Sequence, residues 1–221
     1  MIDEKLLEYL EGFVTENRKQ TFKKVLENRT RHFSVVLENV FQPHNASAVV
    51  RSCDIFGIQD VYTIENSYIN KVSRKIAKGS QKWLDFHRFK TENKNTKECY
   101  DKLRKNGYQV IATTPHNDSC YLSDFDISKK SAFVFGVEKE GVSDFMMENS
   151  DGYLKIPMVG FTESLNISVA AAIILQDVTT RLRKSDINWK LPPLEQKEIY
   201  SRWIESSIKN LDKHKSFFYN Q

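Results

Sequence analysis

The stretch SAFVFGVE, residues 131–138, is one of three near-continuous apolar runs in the second half of the chain; YQVIATT (108–114) precedes it and GYLKIPMVG (152–160) follows it. A strand with one wet face alternates apolar and polar residues, whereas parallel strands covered on both faces read apolar throughout. These runs are of the second kind. Around them the periodicity turns helical: TKECYDKLRKNG is stopped by Asn106–Gly107, and DFMMENS and ESLNISVAAAIILQDVTTRLR accompany the later runs. Upstream, FSVVLENV and DVYTIE read as strands, and residues 46–56 as a helix closed by Gly57. Strand and helix alternate, so the expected class is α/β with a mostly parallel sheet.

Helical extensions flank this core. IDEKLLEYLEGFVTENRKQTFKKVLENRTRH places Leu6, Leu7, Leu10, Phe13 and Val14 at helical spacing and is basic in its second half. LPPLEQ breaks the chain after residue 190, and KEIYSRWIESSIKNLDKHK reads as a C-terminal helix. The expected organisation is an N-terminal helical extension over 1–32, a sheet domain over 33–184 and a C-terminal helical extension over 185–221.

Composition narrows the class. The 221 residues are 40% hydrophobic and 28% charged, which suits a folded chain with a sizeable core. Lys and Arg total 33 against 29 acids, a net charge of +4 that permits an acidic partner without demanding one. Cys53, Cys99 and Cys120 show no CxxC spacing, which argues against a disulfide framework or a cysteine zinc site and fits a reducing compartment. The opening MIDEKLLEYLEG lacks the basic and apolar regions of a signal peptide, and no apolar run approaches the roughly 20 residues of a membrane span. A soluble, cytoplasmic protein is expected, without membrane association.

Several enzyme classes drop out. The turn after FSVVLENV is FQPHN, without the G-x-G-x-x-G of a dinucleotide fold, and P-loop, H-E-x-x-H and G-x-S-x-G motifs are absent from the sequence. Gly136, Gly141, Gly152 and Gly160 instead gather near the ends of the last two core strands. Open α/β sheets bind ligands at the carboxyl ends of their strands, so a small-molecule site is expected late in the chain.

Three stretches carry more specific information: NVFQPHNASAVVRSCDIFGIQDVY (39–62), FVFGVEKEGVS (133–143) and IPMVGFTESLNISVAAAII (156–174). In order and spacing they resemble the three motifs of the SpoU-type RNA ribose 2′-O-methyltransferases of the SPOUT superfamily. The branch they most resemble is the tRNA guanosine-18 one, called TrmH. The resemblance covers about residues 35–180. It implies S-adenosylmethionine as methyl donor, with S-adenosylhomocysteine as product, held in a C-terminal deep trefoil knot. It also implies a homodimer with its active site at the subunit interface. No metal is expected, because the sulfonium is already activated.

Each motif residue has a plain reading beside that implication. Arg51 falls opposite the stripe of Val49, Cys53 and Phe56, where a solvated arginine paired with Asp54 would explain it. The resemblance makes it the catalytic arginine, either a base for the ribose 2′-hydroxyl or a cation stabilising the developing alkoxide. Asn45 suits a helix N-cap, and by resemblance also orients the RNA phosphate or the arginine. Thr162 or Ser164 would cap the Ala-rich helix that follows. By resemblance Glu138, Ser164 and Asn166 belong to the catalytic group, while Thr113, Gly136, Ile156 and Leu165 bind the donor. Basic residues in three clusters are candidate RNA contacts: Arg29 and Arg31; Lys71, Arg74, Lys75 and Lys78; and Arg181 and Arg183.

The expected function is therefore tRNA ribose 2′-O-methylation, at guanosine 18 of the D-loop. The alternatives are a related methyltransferase of another tRNA site or of ribosomal RNA, and a catalytically silent RNA-binding protein with the same fold.

Overall fold

The computed structural model describes residues 2–40, 42–66, 77–90, 94–115, 119–137 and 140–220. Lys71, Arg74, Lys75 and Glu138 lie outside the described residues. The chain divides into two compact units, Thr30–Trp189 and the pairing of Met1–Arg29 with Lys190–Gln221.

The unit Thr30–Trp189 is built on seven strands: β1 (Phe33–Glu38), β2 (Asp60–Ile64), β3 (Asp85–Phe89), β4 (Gln109–Thr113), β5 (Cys120–Tyr121), β6 (Ser131–Phe135) and β7 (Gly152–Lys155). Their order is β3-β2-β1-β6-β4-β7-β5, and every neighbouring pair is parallel. Every residue of β1, β2 and β6 is buried, as unbroken apolar runs require. Alternate side chains feed two cores. Val35, Leu37, Phe133 and Phe135 point to one face, and Val36, Ala132 and Val134 to the other.

Helices α3 (Pro43–Ile55) and α6 (Ile167–Arg183) pack together over the first face and supply Val49, Val50, Cys53, Ala171, Ile174 and Val178. Helices α4 (Asn95–Lys105) and α5 (Asp144–Asn149) cover the second with Cys99, Leu103 and Met146. Two strands, one at each end of the sheet, escaped the sequence reading. β3, DFHRF, is a sheet-edge strand that buries none of its residues fully, and β5 is only two residues long.

Both helix starts near the motifs differ from expectation. The N-cap of α3 is Gln42, with Pro43 in the first turn, so Asn45 lies inside the helix and is not its cap. Proline pre-sets the backbone there and needs no donor, which moves the start upstream. The N-cap of α6 is Asn166, whose side chain accepts from Ser168 N at 2.9 Å; Thr162 and Ser164 do not cap it.

The unit of the two chain ends holds α1 (Glu4–Glu11), α2 (Glu16–Leu26), α7 (Pro193–Ser207) and α8 (Leu211–Tyr219). The single C-terminal helix of the sequence reading is thus two, parted at Asn210, whose φ of 54° is left-handed. Trp203 anchors this unit against Phe22, ring centroids 5.5 Å apart, and the Arg29 guanidinium lies 5.4 Å from the Trp203 ring. Among the described residues no helix is long and apolar enough to cross a membrane.

Candidate active site

The chain leaves β4, β6 and β7 on one side of the sheet, and the three exits enclose a cavity of about 510 Å³. Thr113, Gly136, Ile156 and Leu165, the four expected donor contacts, all line it, together with Ser164. Ala170 and Ile174 of α6 contribute apolar wall. The Thr113 hydroxyl donates to Val134 O at 2.8 Å, so its side chain ties β4 to β6 at the cavity wall.

Gly136 is required by close packing. Val137 and Gly141 exchange two backbone hydrogen bonds, at 3.0 and 2.9 Å, which hold the two residues side by side. A Cβ on Gly136 would stand 1.9 Å from Gly141 O, an impossible approach. Gly141 makes the turn with a φ of +73°, which an L side chain adopts with strain.

Glu38 holds the chain just beyond Gly141. This buried carboxylate accepts from Ser143 N at 2.9 Å, Ser143 Oγ at 2.7 Å and Thr96 Oγ1 at 3.2 Å. The sequence reading missed it; the signal was an acid closing the otherwise apolar run VVLE.

The early and late motifs meet directly. Asn166 Nδ2 donates to Asn45 Oδ1 at 3.1 Å, and Asn45 Nδ2 donates to Gln42 Oε1 at 3.2 Å. Arg51 lies further along α3 on its exposed side, one turn before Ile55, which is 65% exposed. Among the described residues its guanidinium has no hydrogen-bond or ion-pair partner, and the Asp54 pair is not formed. Close in sequence to the cavity walls, Val159 and Phe161 are fully exposed, and Val169 and Ile173 of α6 present apolar surface one turn apart.

Four of the expected RNA contacts are occupied within the fold. Arg29 is 1% exposed, and Arg31 spans Asp60 and, at 2.6 Å, Asp85. Burial alone would lower the Arg31 pKa, but the two carboxylates outweigh it and hold the guanidinium protonated. Arg181 donates to Phe125 O and Leu122 O at 2.8 and 3.0 Å, and Arg183 donates to Phe56 O at 2.8 Å. Carbonyls and carboxylates of the fold thus take donors of Arg31, Arg181 and Arg183. Lys78, by contrast, is exposed.

A parallel sheet with its cleft at the carboxyl ends of β4, β6 and β7, and no glycine loop after β1, defines an α/β protein whose cavity lies late in the chain, where open sheets of this class bind ligands. The chain matches the SpoU rRNA Methylase family over residues 32–176 and belongs to that family. It is 36% identical over 201 residues to the tRNA (guanosine(18)-2′-O)-methyltransferase of Borreliella burgdorferi, covering 91% of this chain and 90% of that one. The crystal structure of the Aquifex aeolicus TrmH/SpoU tRNA modifying enzyme superposes with a TM-score of 0.75 at 30% identity, over 88% of this chain and 98% of that one. The SpoU methyltransferase AviRb from Streptomyces viridochromogenes, solved in complex with the cofactor AdoMet, shares the fold with a TM-score of 0.60 at 22% identity, over 72% of this chain and 64% of that one.

Proposed function

We propose that this protein transfers a methyl group from S-adenosylmethionine to the ribose 2′-oxygen of guanosine 18 in the tRNA D-loop. The observation that carries the reading is the convergence of three distant segments, around Thr113, Gly136 and Ile156–Leu165, on one cavity, with Asn166, bonded to Asn45, next in the chain to the lining residues Leu165 and Ile167. Relatives named for this reaction, at over 30% identity across most of the chain, support it.

The cavity suits such a donor. Its volume of about 510 Å³ is in the range of small-molecule sites, and at Gly136 backbone approaches where any side chain would intrude. Bound there, the donor supplies an electrophilic methyl on a sulfonium. Arg51 stays cationic, since a guanidinium scarcely deprotonates in proteins. It holds the phosphate beside the target ribose and stabilises the alkoxide as the 2′-hydroxyl loses its proton. Asn45 and Asn166 brace α3 against α6, Ser164 lines the cavity, and the motif resemblance adds Glu138 to the catalytic group.

The insertion of β7 between the earlier strands β4 and β5 supports a trefoil-knotted chain. Fully exposed Phe161, with the apolar stripe of Val169 and Ile173, supports a homodimer that covers them. Lys78 and its basic neighbours Lys71, Arg74 and Lys75, with the extension over 1–32, supply phosphate contacts in the cytoplasm.

Incubation with labelled donor and unmodified tRNA transcripts, followed by mapping of the labelled nucleotide, tests this. Label on the 2′-oxygen of guanosine 18 is expected. Label at another tRNA site or only in ribosomal RNA redirects the assignment, and no label in any RNA rejects it.

A further inference from the structure

A second hollow, of about 480 Å³, opens at the sheet edge and shares Pro115, Lys155, Ile156 and Met158 with the donor cavity. Tyr121 of β5 and Lys155 of β7 are partners in the parallel register, and the Lys155 ammonium lies 4.7 Å from the Tyr121 ring centroid. Tyr121 is 46% exposed on a strand of only two residues, so core packing does not account for an aromatic there. Among the described residues Lys155 makes no ion pair, and no carboxylate lines the hollow.

An exposed aromatic face beside an unpaired ammonium is what a single-stranded nucleotide recognises: the base stacks on the ring and the phosphate meets the cation. The shared wall sets that nucleotide next to the methyl donor. We propose that the hollow is a nucleotide subsite, in which a base adjoining the methylated nucleotide stacks on Tyr121 while Lys155 holds its phosphate. This rests on the tRNA methylation reading and extends it to a residue outside the three motifs.

Filter binding of an unmodified tRNA transcript, without donor, tests the subsite. Stacking on one base is worth about 5- to 100-fold in affinity, so Tyr121→Ala weakens tRNA binding by about 5-fold or more, while Tyr121→Phe keeps it. Lys155→Gln lowers the salt dependence by about one released counterion. Calorimetric donor affinity of Tyr121→Ala stays at the wild-type value. Wild-type tRNA affinity in Tyr121→Ala overturns the subsite. So does a fall in donor affinity instead, which gives the hollow to the donor, or dissociation of a wild-type dimer in sedimentation, which gives it to a second copy. A wild-type protein that binds no tRNA sinks the proposed function as well, whereas equal binding by wild type and Tyr121→Ala sinks the subsite alone.

Discussion

The side-chain amide of Asn166 donates to the side-chain oxygen of Asn45 across 3.1 Å, joining residues 121 positions apart. Asn166 also caps α6 through Ser168 N, so one side chain both starts a helix and docks it on α3. The two asparagines that the motifs offered separately thus form one device. It sets the helix that carries Arg51 against the helix that walls the cavity of about 510 Å³.

Asn166→Ala removes the cap and the bond together, each worth about 1 kcal/mol, for a loss of about 2 kcal/mol in stability. Asn45→Ala removes the bond but not the cap. In urea unfolding the double variant is expected to be less destabilised than the sum of the two singles, by about 1 kcal/mol. Strict additivity would show that the bond contributes nothing.

Gly136→Ala forces a Cβ to 1.9 Å from Gly141 O, so the backbone at Gly141–Val142 must leave its position. Donor affinity measured by calorimetry should fall by about 100-fold or more, with most of the fold retained. Gly160→Ala is the control, because a Cβ there meets nothing within 4 Å. Donor binding by Gly136→Ala at the wild-type level would mean that this backbone is not part of the donor site.

Arg51 is exposed on α3 and does not line the donor cavity. Arg51→Ala and Arg51→Lys should therefore lower single-turnover methyl transfer by about 100-fold or more, the scale of a lost charge stabiliser, while donor affinity changes by less than about 3-fold. Lysine fails because it lacks the planar fork. Turnover near wild type in either variant removes Arg51 from the chemistry.

Asp60 gives the protein an acid-sensitive clasp. Burial pushes its pKa up, but hydrogen bonds and charge from His87 and Arg31 push it further down, so it ends below 3.8. A carboxylate depressed on folding stabilises the native state above its unfolded value of about 4, and that contribution is lost as pH falls through the folded value. The urea midpoint should therefore drop steeply below about pH 4. Asp60→Asn should flatten that acid limb and cost about 3 kcal/mol at pH 7, since Arg31 loses one of its two carboxylates. An unchanged acid limb in the variant would assign the transition to other groups.

Elements written into short stretches were legible. Phe33–Glu38, Gln109–Thr113 and Ser131–Phe135 are apolar on both faces and form the buried parallel strands expected of them. The 85–89 stretch was not legible, because an edge strand carrying His87 and Arg88 has no apolar face to betray it. Helix starts were misread by a few residues where capping candidates crowd together: Gln42, not Asn45, precedes α3, and Asn166, not Ser164, precedes α6. The four residues that motif resemblance assigns to the donor line one cavity. Glu38 and Tyr121 lie outside that pattern and went unread.

By itself the amino-acid order determined the α/β class, the late position of the ligand cleft and the family, because strand and helix periods and motif spacing are properties of neighbouring residues. Tertiary structure alone decided that β7 enters between β4 and β5, that Asn45 meets Asn166, and that Arg31 binds two aspartates rather than facing solvent. Those outcomes depend on which distant groups the packed core brings together. A donor such as a guanidinium takes whichever acceptor that packing presents first.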